Sequence, residues 1–128
     1  MTLAYWCVLI ALFLPYLSTA MAKFSGGDFG LRQNHDPRTF LSNLEGWRKR
    51  AHNAQLNAFE VTPAFAAAVI IGHLAGIAGQ DTLDTLAVAF VAVRVLYFVC
   101  YVADWASLRS VVWFAGMLLI AAFFVVSA

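Results

Sequence analysis

Four long apolar runs decide what this chain can fold into. The first, residues 3–22, contains no charged residue, and the others cover about residues 47–76, 82–103 and 111–126. A helix needs about 20 mainly apolar residues to cross a bilayer core of roughly 30 Å. The last run is the shortest, but it is long enough to cross with little tilt. The pattern therefore predicts four membrane-spanning helices.

The composition excludes a water-soluble domain. Hydrophobic residues make up 62% of the 128 residues and charged residues 12%, whereas soluble domains have about 45–50% and about 25%. The net charge of +1 gives no reason to expect a nucleic-acid partner. Cys7 and Cys100 lie inside apolar runs at no metal or redox spacing, which favours buried free thiols.

The first run has a second interpretation, a cleaved signal peptide, because Ala20 and Ala22 end it in an A-x-A-like pattern. A signal peptide begins with positive charge, and residues 1–6 carry none. We therefore expect a retained spanning helix. Pro15 is expected to bend this helix, which membrane helices tolerate when neighbours satisfy the freed carbonyl.

A polar segment, residues 23–46, follows the first run. Its glycines and its Asp36–Pro37 pair predict a loop. This segment and residues 48–50 hold six of the eight basic residues, so the positive-inside rule places the segment in the cytoplasm. Residues 77–84 carry acidic residues and no basic one, which fits the opposite side. Both termini are then expected on the non-cytoplasmic side.

Four apolar helices with short connections predict an all-α fold, an antiparallel four-helix transmembrane bundle forming one domain over residues 1–128. A two-span hairpin with interfacial helices is an alternative. It is less favoured, because all four runs reach spanning length.

Two ionisable residues lie deep inside the predicted spans. Glu60 follows Arg50 by ten residues, and Arg94 precedes Asp104 by ten, so both lie on the order of 15 Å from the cytoplasmic ends of their helices. A lone charge near the bilayer centre costs at least ~2.5–3.5 kcal/mol on insertion scales. Pairing is the cheapest arrangement, so we predict a Glu60–Arg94 ion pair.

Further polar residues accompany the predicted pair. Helical spacing places two amides and the acid on one face of the second span, and an arginine and two tyrosines on one face of the third: Asn53, Asn57 and Glu60, and Arg94, Tyr97 and Tyr101. An ion pair that only fixed helix register would not need them, so we favour a polar ligand pocket rimmed by Arg109. Such a pocket suits a zwitterionic or anionic cytosolic molecule with carboxylates, while a hydrophobic co-substrate enters from the lipid.

Two stretches resemble the signature stretches of the MAPEG family, the membrane-associated proteins in eicosanoid and glutathione metabolism. They are RAHNAQLNAFEVTP, residues 50–63, and RVLYFVCYVADWASLRS, residues 94–110. The order of helices and polar segments also matches over nearly the whole chain. The short length is similar to bacterial members more than to mammalian synthases, so the resemblance implies a bacterial inner-membrane protein and no eicosanoid substrate.

The resemblance implies a homotrimer of four-helix subunits, surrounded by lipid, that binds glutathione as co-substrate between neighbouring subunits in a pocket open to the cytosol. Family members conjugate glutathione to lipophilic electrophiles, reduce lipid hydroperoxides or isomerise oxygenated lipids. For this chain we expect a glutathione-dependent membrane transferase or peroxidase that acts on lipophilic electrophiles or hydroperoxides.

The resemblance also implies roles for residues of the second and third helices. The family's second-helix glutathione contacts fall on Asn57 and Glu60, and the third-helix arginine that pairs with that glutamate falls on Arg94. Tyr97 and Tyr101 match positions that line the site.

Arg109, followed by Ser110, matches the arginine held responsible for stabilising the glutathione thiolate. A thiol with a pKa of about 8.5 is mostly protonated at neutral pH, and a nearby guanidinium favours the thiolate, which is the nucleophile. Eukaryotic members carry a further arginine on the second helix. Asn53 and Leu56 stand at the corresponding positions here, with Asn53 expected to contact glutathione as an amide.

A second class of function is a non-catalytic membrane protein of the same fold that binds a lipid or small anion or serves as a scaffold. Arg109 separates the two hypotheses, because an enzyme needs its side chain directed inward and a scaffold leaves it exposed as an ordinary positive-inside anchor. A transporter is a weaker third possibility, since one charge pair makes no evident pathway.

Overall fold

The computed structural model describes all 128 residues and contains only helices. Four helices are long and apolar enough to cross a membrane. They are α1 (Leu3–Phe24), α3 (Gly46–Ala75), α4 (Gln80–Val102) and α5 (Ala106–Val126). The short helix α2 (Pro37–Ser42) lies in the polar segment after α1. The predicted all-α transmembrane bundle is confirmed.

The connections give the bundle two distinct ends. At one end, called the loop end, α1 and α4 finish and α3 and α5 begin, beside the polar segment 23–46. At the other, called the turn end, Gly76 ends α3 in a left-handed conformation with φ of 68°. Glycine adopts this conformation at no steric cost. Only four residues separate α3 from α4, so the two helices are antiparallel neighbours.

Three phenylalanines form the centre of the core. Phe65 of α3 stacks on Phe90 of α4 with 3.9 Å between ring centroids, and Phe123 of α5 meets Phe65 edge-on at 6.0 Å. All three side chains are fully buried. Without a strong hydrophobic driving force between helices inside lipid, this close packing of rings and small residues holds the bundle together.

Hydrogen bonds across helices close the turn end. The backbone N–H of Ala4 donates to the Asp84 carboxylate at 2.7 Å, which satisfies one free donor at the start of α1. His73 of α3 lies 3.1 Å from the Thr2 hydroxyl and stacks on Tyr5 at 4.3 Å. His73 is thus a packing residue of this end.

The segment predicted as a loop is partly helical. Residues 33–35 form a 3₁₀ turn, and the Asp36–Pro37 pair begins α2. The Asp36 side chain accepts a hydrogen bond from the backbone N–H of Thr39 at 3.2 Å, and Pro37 occupies the first helical position, where its missing N–H costs nothing. The same two residue types that mark a turn also start a helix.

The fourth spanning helix begins at Ala106, five residues before the apolar run at Val111. Asp104 has φ of 64°, and the N–H groups of Trp105 and Asp104 donate to the carbonyls of Cys100 and Tyr101. This is a Schellman ending of α4 with an aspartate in the position usually held by glycine. The turn is therefore short enough to place Arg109 in the first helical turn of α5.

Two arginines at the start of α3 join the helices at the loop end. Arg48 donates from Nε to the Ala22 carbonyl at 2.8 Å and from Nη2 to the Lys23 carbonyl at 3.2 Å. Arg50 donates two bonds of 3.1 Å to the Val102 carbonyl. These carbonyls lie at helix C-termini, which lack partners within the helix and attract positive charge. Both side chains are therefore committed to the scaffold.

Arg48 also fixes the beginning of the polar segment. Its guanidinium forms a bidentate pair with Asp28 at 2.6 and 2.9 Å. The hydrogen bonds from Arg48 lower the pKa of the Asp28 carboxyl. Any stabilisation from this pair is present at neutral pH and is lost only as the pH falls through that lowered pKa.

Replacing Arg48 by glutamine should loosen the junction of α1 with the polar segment. Charge-assisted hydrogen bonds to two backbone carbonyls and one carboxylate are lost, so amide hydrogen exchange over residues 22–28 should rise by about tenfold or more. Lys49→Gln is the matched control, because Lys49 is exposed and makes no side-chain hydrogen bond. Equal exchange in the two variants would contradict the assigned role.

Gly72→Val should destabilise the bundle. A Cβ at Gly72 would lie 3.1 Å from Leu83 and 3.3 Å from the Ser127 hydroxyl, so valine overfills the contact between α3, α4 and α5. Overpacking costs about 1–3 kcal/mol, which should lower the thermal midpoint in detergent by several degrees. Gly79→Val serves as control, because a Cβ there meets no atom within 4 Å. Equal midpoints would show that the Gly72 contact is not tight.

Candidate functional site

Two arginines and two tyrosines form a continuous stack near the loop end. The Arg94 guanidinium carbon lies 4.3 Å from the ring centroid of Tyr97, and that of Arg109 lies 4.5 Å from the ring centroid of Tyr101. The two tyrosine rings meet edge-on at 5.6 Å. Helical spacing places Arg94, Tyr97 and Tyr101 on one face of α4. The short turn after α4 brings Arg109 of α5 next to Tyr101. Each guanidinium is thus oriented by an aromatic ring.

Asn57 joins this stack to α3. Arg94 donates from Nη2 to the Asn57 carbonyl oxygen at 2.9 Å, and the Asn57 amide approaches the Glu60 carboxylate at 3.5 Å. No atom of Glu60 lies within ion-pair distance of Arg94. The predicted direct Glu60–Arg94 ion pair is therefore wrong in this structure of the single chain.

The positions of the side chains explain why Asn57 replaces Glu60 as the partner. Arg94 is only 7% exposed, whereas Glu60 belongs to the exposed surface of α3. Equal depth along the sequence of the two helices does not bring the two side chains together. Asn57 lies one turn earlier on α3 and reaches the buried guanidinium.

A polar cavity of about 200 Å³ opens between α3, α4 and α5. Its lining residues are Asn57, Tyr97, Arg109, Ser110, Trp113 and Phe114. Arg109 is half-buried there, has no carboxylate within 4.0 Å and makes no side-chain hydrogen bond within the chain. Its positive charge is thus oriented by Tyr101 and left available for a ligand in the cavity.

The predicted site residues divide into three groups in the structure. Asn57, Tyr97, Arg109 and Ser110 line the polar cavity, and Tyr101 packs beneath Arg109. Arg94 instead lines a second cavity, which is mainly apolar. The remaining two, Asn53 and Glu60, line neither cavity.

Two aromatic residues of the polar cavity were not predicted. Trp113 and Phe114 meet edge-on at 5.2 Å and form its wall on α5. Both lie in the fourth apolar run, residues 111–126, for which no site residue was predicted. The i, i+4 spacing from Arg109 to Trp113 is the sequence signal that places both on one helical face.

The apolar cavity has a volume of about 280 Å³ and lies between α1, α3 and α4. Nine of its 12 lining residues are hydrophobic. Tyr97 lines both cavities and forms a shared wall between them. The site thus consists of a polar chamber that contains Arg109 and an apolar chamber that contains Arg94.

The fold and these cavities define an integral membrane protein, a bundle of four spanning helices with a cation-bearing chamber near one end. The chain belongs to the MAPEG family, because the model of that family matches residues 3–128, nearly the whole chain. No curated protein and no solved structure matches it. Family membership confirms the resemblance seen in residues 50–63 and 94–110.

The hydrogen bond from Arg94 to Asn57 predicts that the Asn57 amide, and not the Glu60 carboxylate, contributes to the stability of the bundle. Asn57→Leu leaves the buried guanidinium without its only hydrogen-bond acceptor, which should cost about 1–3 kcal/mol. Glu60→Gln should change the stability of the single chain by less than about 0.5 kcal/mol, because the Glu60 side chain is exposed. Thermal or denaturant unfolding of monomeric protein in detergent measures both. A larger loss of unfolding free energy in Glu60→Gln would support the direct Glu60–Arg94 ion pair.

Proposed function

We propose that this protein is a glutathione-dependent membrane enzyme, a transferase or peroxidase that acts on lipophilic electrophiles or hydroperoxides. The polar cavity carries the proposal, because it combines the uncommitted guanidinium of Arg109 and the hydroxyl of Ser110, both on α5, with the amide of Asn57 on α3. MAPEG membership supports the same chemistry, since the family includes glutathione transferases and peroxidases.

The residues of the cavity fit part of glutathione. The tripeptide carries two carboxylates, an ammonium group and a thiol, and it needs cationic and amide partners. Arg109, Asn57 and Ser110 supply a cation, an amide and a hydroxyl. The cavity of about 200 Å³ is below the roughly 300–1,000 Å³ of sites that enclose drug-sized ligands, so one subunit holds only part of the molecule.

The rest of the site is proposed to come from a neighbouring copy of the chain. Glu60 is exposed on α3, at a depth where lipid would surround an isolated subunit, and no cation lies within 4.0 Å of it. A carboxylate in that position is costly unless protein or ligand covers it. A homotrimer, the arrangement expected from the family resemblance, would place a second subunit against this face and complete the pocket.

Arg109 is proposed to hold the thiol in its reactive form. When bound, glutathione would supply a thiolate nucleophile. The thiolate would displace the leaving group of an electrophilic carbon, or take the terminal oxygen of a hydroperoxide as the O–O bond breaks and the alcohol leaves, after which a second glutathione would reduce the resulting sulfenic acid to give the disulfide and water. The Arg109 charge favours the thiolate over the thiol, and its stack on Tyr101 fixes where that charge lies. Trp113 and Phe114 form apolar walls of the same cavity. They reduce the water around the sulfur, which strengthens the attraction between the Arg109 charge and the thiolate.

The proposed orientation places the loop end in the cytosol, where glutathione is available. The basic residues of the polar segment and of the start of α3 lie at this end, in agreement with the positive-inside rule. Both termini of the chain would then lie on the opposite side of the membrane.

The non-catalytic alternative requires Arg109 to be an exposed anchor at a helix start. Arg109 is instead half-buried over Tyr101 and lines the cavity. This placement favours the enzyme hypothesis.

Arg109→Gln should lower the rate of conjugation or peroxide reduction by at least about 100-fold, a loss typical of removing one preorganised charge-stabilising group. Glutathione binding should weaken much less, because the other contacts remain. Turnover of a chlorinated nitrobenzene and of an alkyl hydroperoxide, with glutathione binding measured by calorimetry, separates the two effects.

Arg38→Gln is the control for the loss of one positive charge, because Arg38 lies exposed on α2 away from the cavity. It should turn over like the native protein. Native turnover in Arg109→Gln would reject the role of Arg109 as thiolate stabiliser.

A further inference from the structure

Tyr97 is the one residue lining the polar cavity that can give a proton to a reacting group. The other lining residues are Asn57, Arg109, Ser110, Trp113 and Phe114. A guanidinium keeps its proton at any accessible pH, and amide, indole and phenyl groups are not acids in water. The Ser110 hydroxyl already donates to the Ala106 carbonyl at 3.2 Å, and an aliphatic hydroxyl is a far weaker acid than a phenol. A phenol, with an ordinary pKa of about 10, is protonated at neutral pH and can ionise.

The Tyr97 hydroxyl has no partner in the chain. The residue is 5% exposed and lines both cavities, and its hydroxyl makes no hydrogen bond with another residue. The oxygen is not sealed in the core either, because Ser127 has the only fully enclosed side-chain oxygen without a partner. The hydroxyl therefore opens onto the cavities that Tyr97 lines. Buried polar groups are normally hydrogen-bonded, so a free hydroxyl in this place points to a ligand.

Two guanidinium groups lie beside this phenol. The guanidinium carbon of Arg94 is 4.3 Å from the Tyr97 ring centroid, and Arg109 lines the same polar cavity from α5. No carboxylate lies within 4.0 Å of either arginine. A tyrosinate formed here would therefore have a cation over its ring, and opposite charges attract strongly where water is scarce. The surroundings thus stabilise the anion that proton donation leaves behind.

We propose that Tyr97 is a general acid for substrates whose leaving group is an oxygen anion, namely alkyl hydroperoxides and epoxides. This role rests on the proposed glutathione chemistry and adds a second catalytic residue to it. Arg109 of α5 stabilises the attacking sulfur, and Tyr97 of α4 protonates the oxygen that departs. An alkoxide is a poor leaving group unless it gains a proton as its bond breaks, and a positioned acid speeds such a step by about 10²–10⁴-fold.

The proton balance of peroxide reduction closes through Tyr97. As sulfur bonds to the terminal oxygen, the O–O bond breaks and the alkoxide takes the Tyr97 proton to leave as the alcohol. The tyrosinate regains a proton from the thiol of a second glutathione, because a thiol with a pKa of about 8.5 is a stronger acid than a phenol. The second thiolate attacks the sulfenic acid sulfur, and the displaced hydroxide takes the Tyr97 proton and leaves as water. The next thiol restores the phenol, so two thiols and one hydroperoxide give disulfide, alcohol and water.

The leaving group decides whether Tyr97 is needed in conjugation. When an epoxide opens, a C–S bond forms as a C–O bond breaks, and the Tyr97 proton turns the alkoxide into the hydroxyl of the product. The thiol of the next glutathione restores the phenol. When an aryl chloride reacts, chloride leaves as a stable anion and needs no proton. The same site should therefore depend on Tyr97 for one kind of substrate and not for the other.

The test measures glutathione-dependent turnover of paired substrates by Tyr97→Phe, which loses the hydroxyl and keeps the ring. For conjugation the pair is styrene oxide and a chlorinated nitrobenzene. For peroxide reduction it is cumene hydroperoxide and perbenzoic acid, whose leaving group is a carboxylate. After subtraction of the uncatalysed rates, kcat for the oxide and the hydroperoxide should fall by at least about 100-fold. The chlorinated nitrobenzene and the peracid should be turned over at close to the native rate.

Two further readouts separate the acid from a structural or thiol-binding role. Glutathione binding and thiolate absorbance should stay native in Tyr97→Phe, because Arg109 stabilises the thiolate. Arg109→Gln should instead slow both members of each pair. An equal loss for both members in Tyr97→Phe, native turnover of the oxide and hydroperoxide, or a loss of thiolate absorbance would each overturn the proposal.

Tyr5→Phe is the matched control, because it removes the same group from a ring that stacks on His73 at the turn end. It should turn over all four substrates like the native protein. Native protein that turns over none of them would reject the proposed function, and the role of Tyr97 with it. Native activity combined with an equal loss for both members of a pair in Tyr97→Phe would reject the role of Tyr97 alone.

Discussion

The hydrogen bond from Arg94 to Asn57 is the contact on which the interior polarity of this bundle depends. It ties the guanidinium of α4, which is almost fully buried, to an amide of α3. Because Arg94 is held there, Tyr97 stacks against it and separates a polar chamber from an apolar one. The arrangement is built from one amide and two aromatic rings, with no buried acid.

The basic residues of the loop end have two different uses. Arg48 and Arg50 donate to the last carbonyls of α1 and α4, so their charge compensates helix termini and is not available to a ligand. Arg109 has no such partner, although it lies at the same end of the bundle. It stacks on Tyr101 inside the polar cavity. This difference in commitment, and not the number of basic residues, identifies Arg109 as the candidate functional cation.

Much of the fold could be predicted from hydrophobicity, because spanning length and apolar composition leave few alternatives to four membrane helices. Depth along a helix also followed from the 1.5 Å rise per residue. Depth alone does not give the direction in which a side chain points, so Glu60 was paired with Arg94 where Asn57 is the partner. The start of α5 was missed because helix formation at Ala106 depends on the backbone of Asp104, which hydropathy does not report. Trp113 and Phe114 were not predicted as site residues, because the i, i+4 relation between Arg109 and Trp113 holds only once Arg109 is part of the helix.

We propose that the polar cavity binds glutathione and that Arg109 favours the thiolate of the bound molecule. The most direct measurement is a pH titration of glutathione with the purified native protein, following the ultraviolet absorbance of the thiolate and using S-methylglutathione as the control ligand. We expect saturable binding, with thiolate formed at a pH clearly below the pKa of about 8.5 of a free thiol. Binding with an unshifted thiol pKa, or no binding at millimolar glutathione, would contradict it.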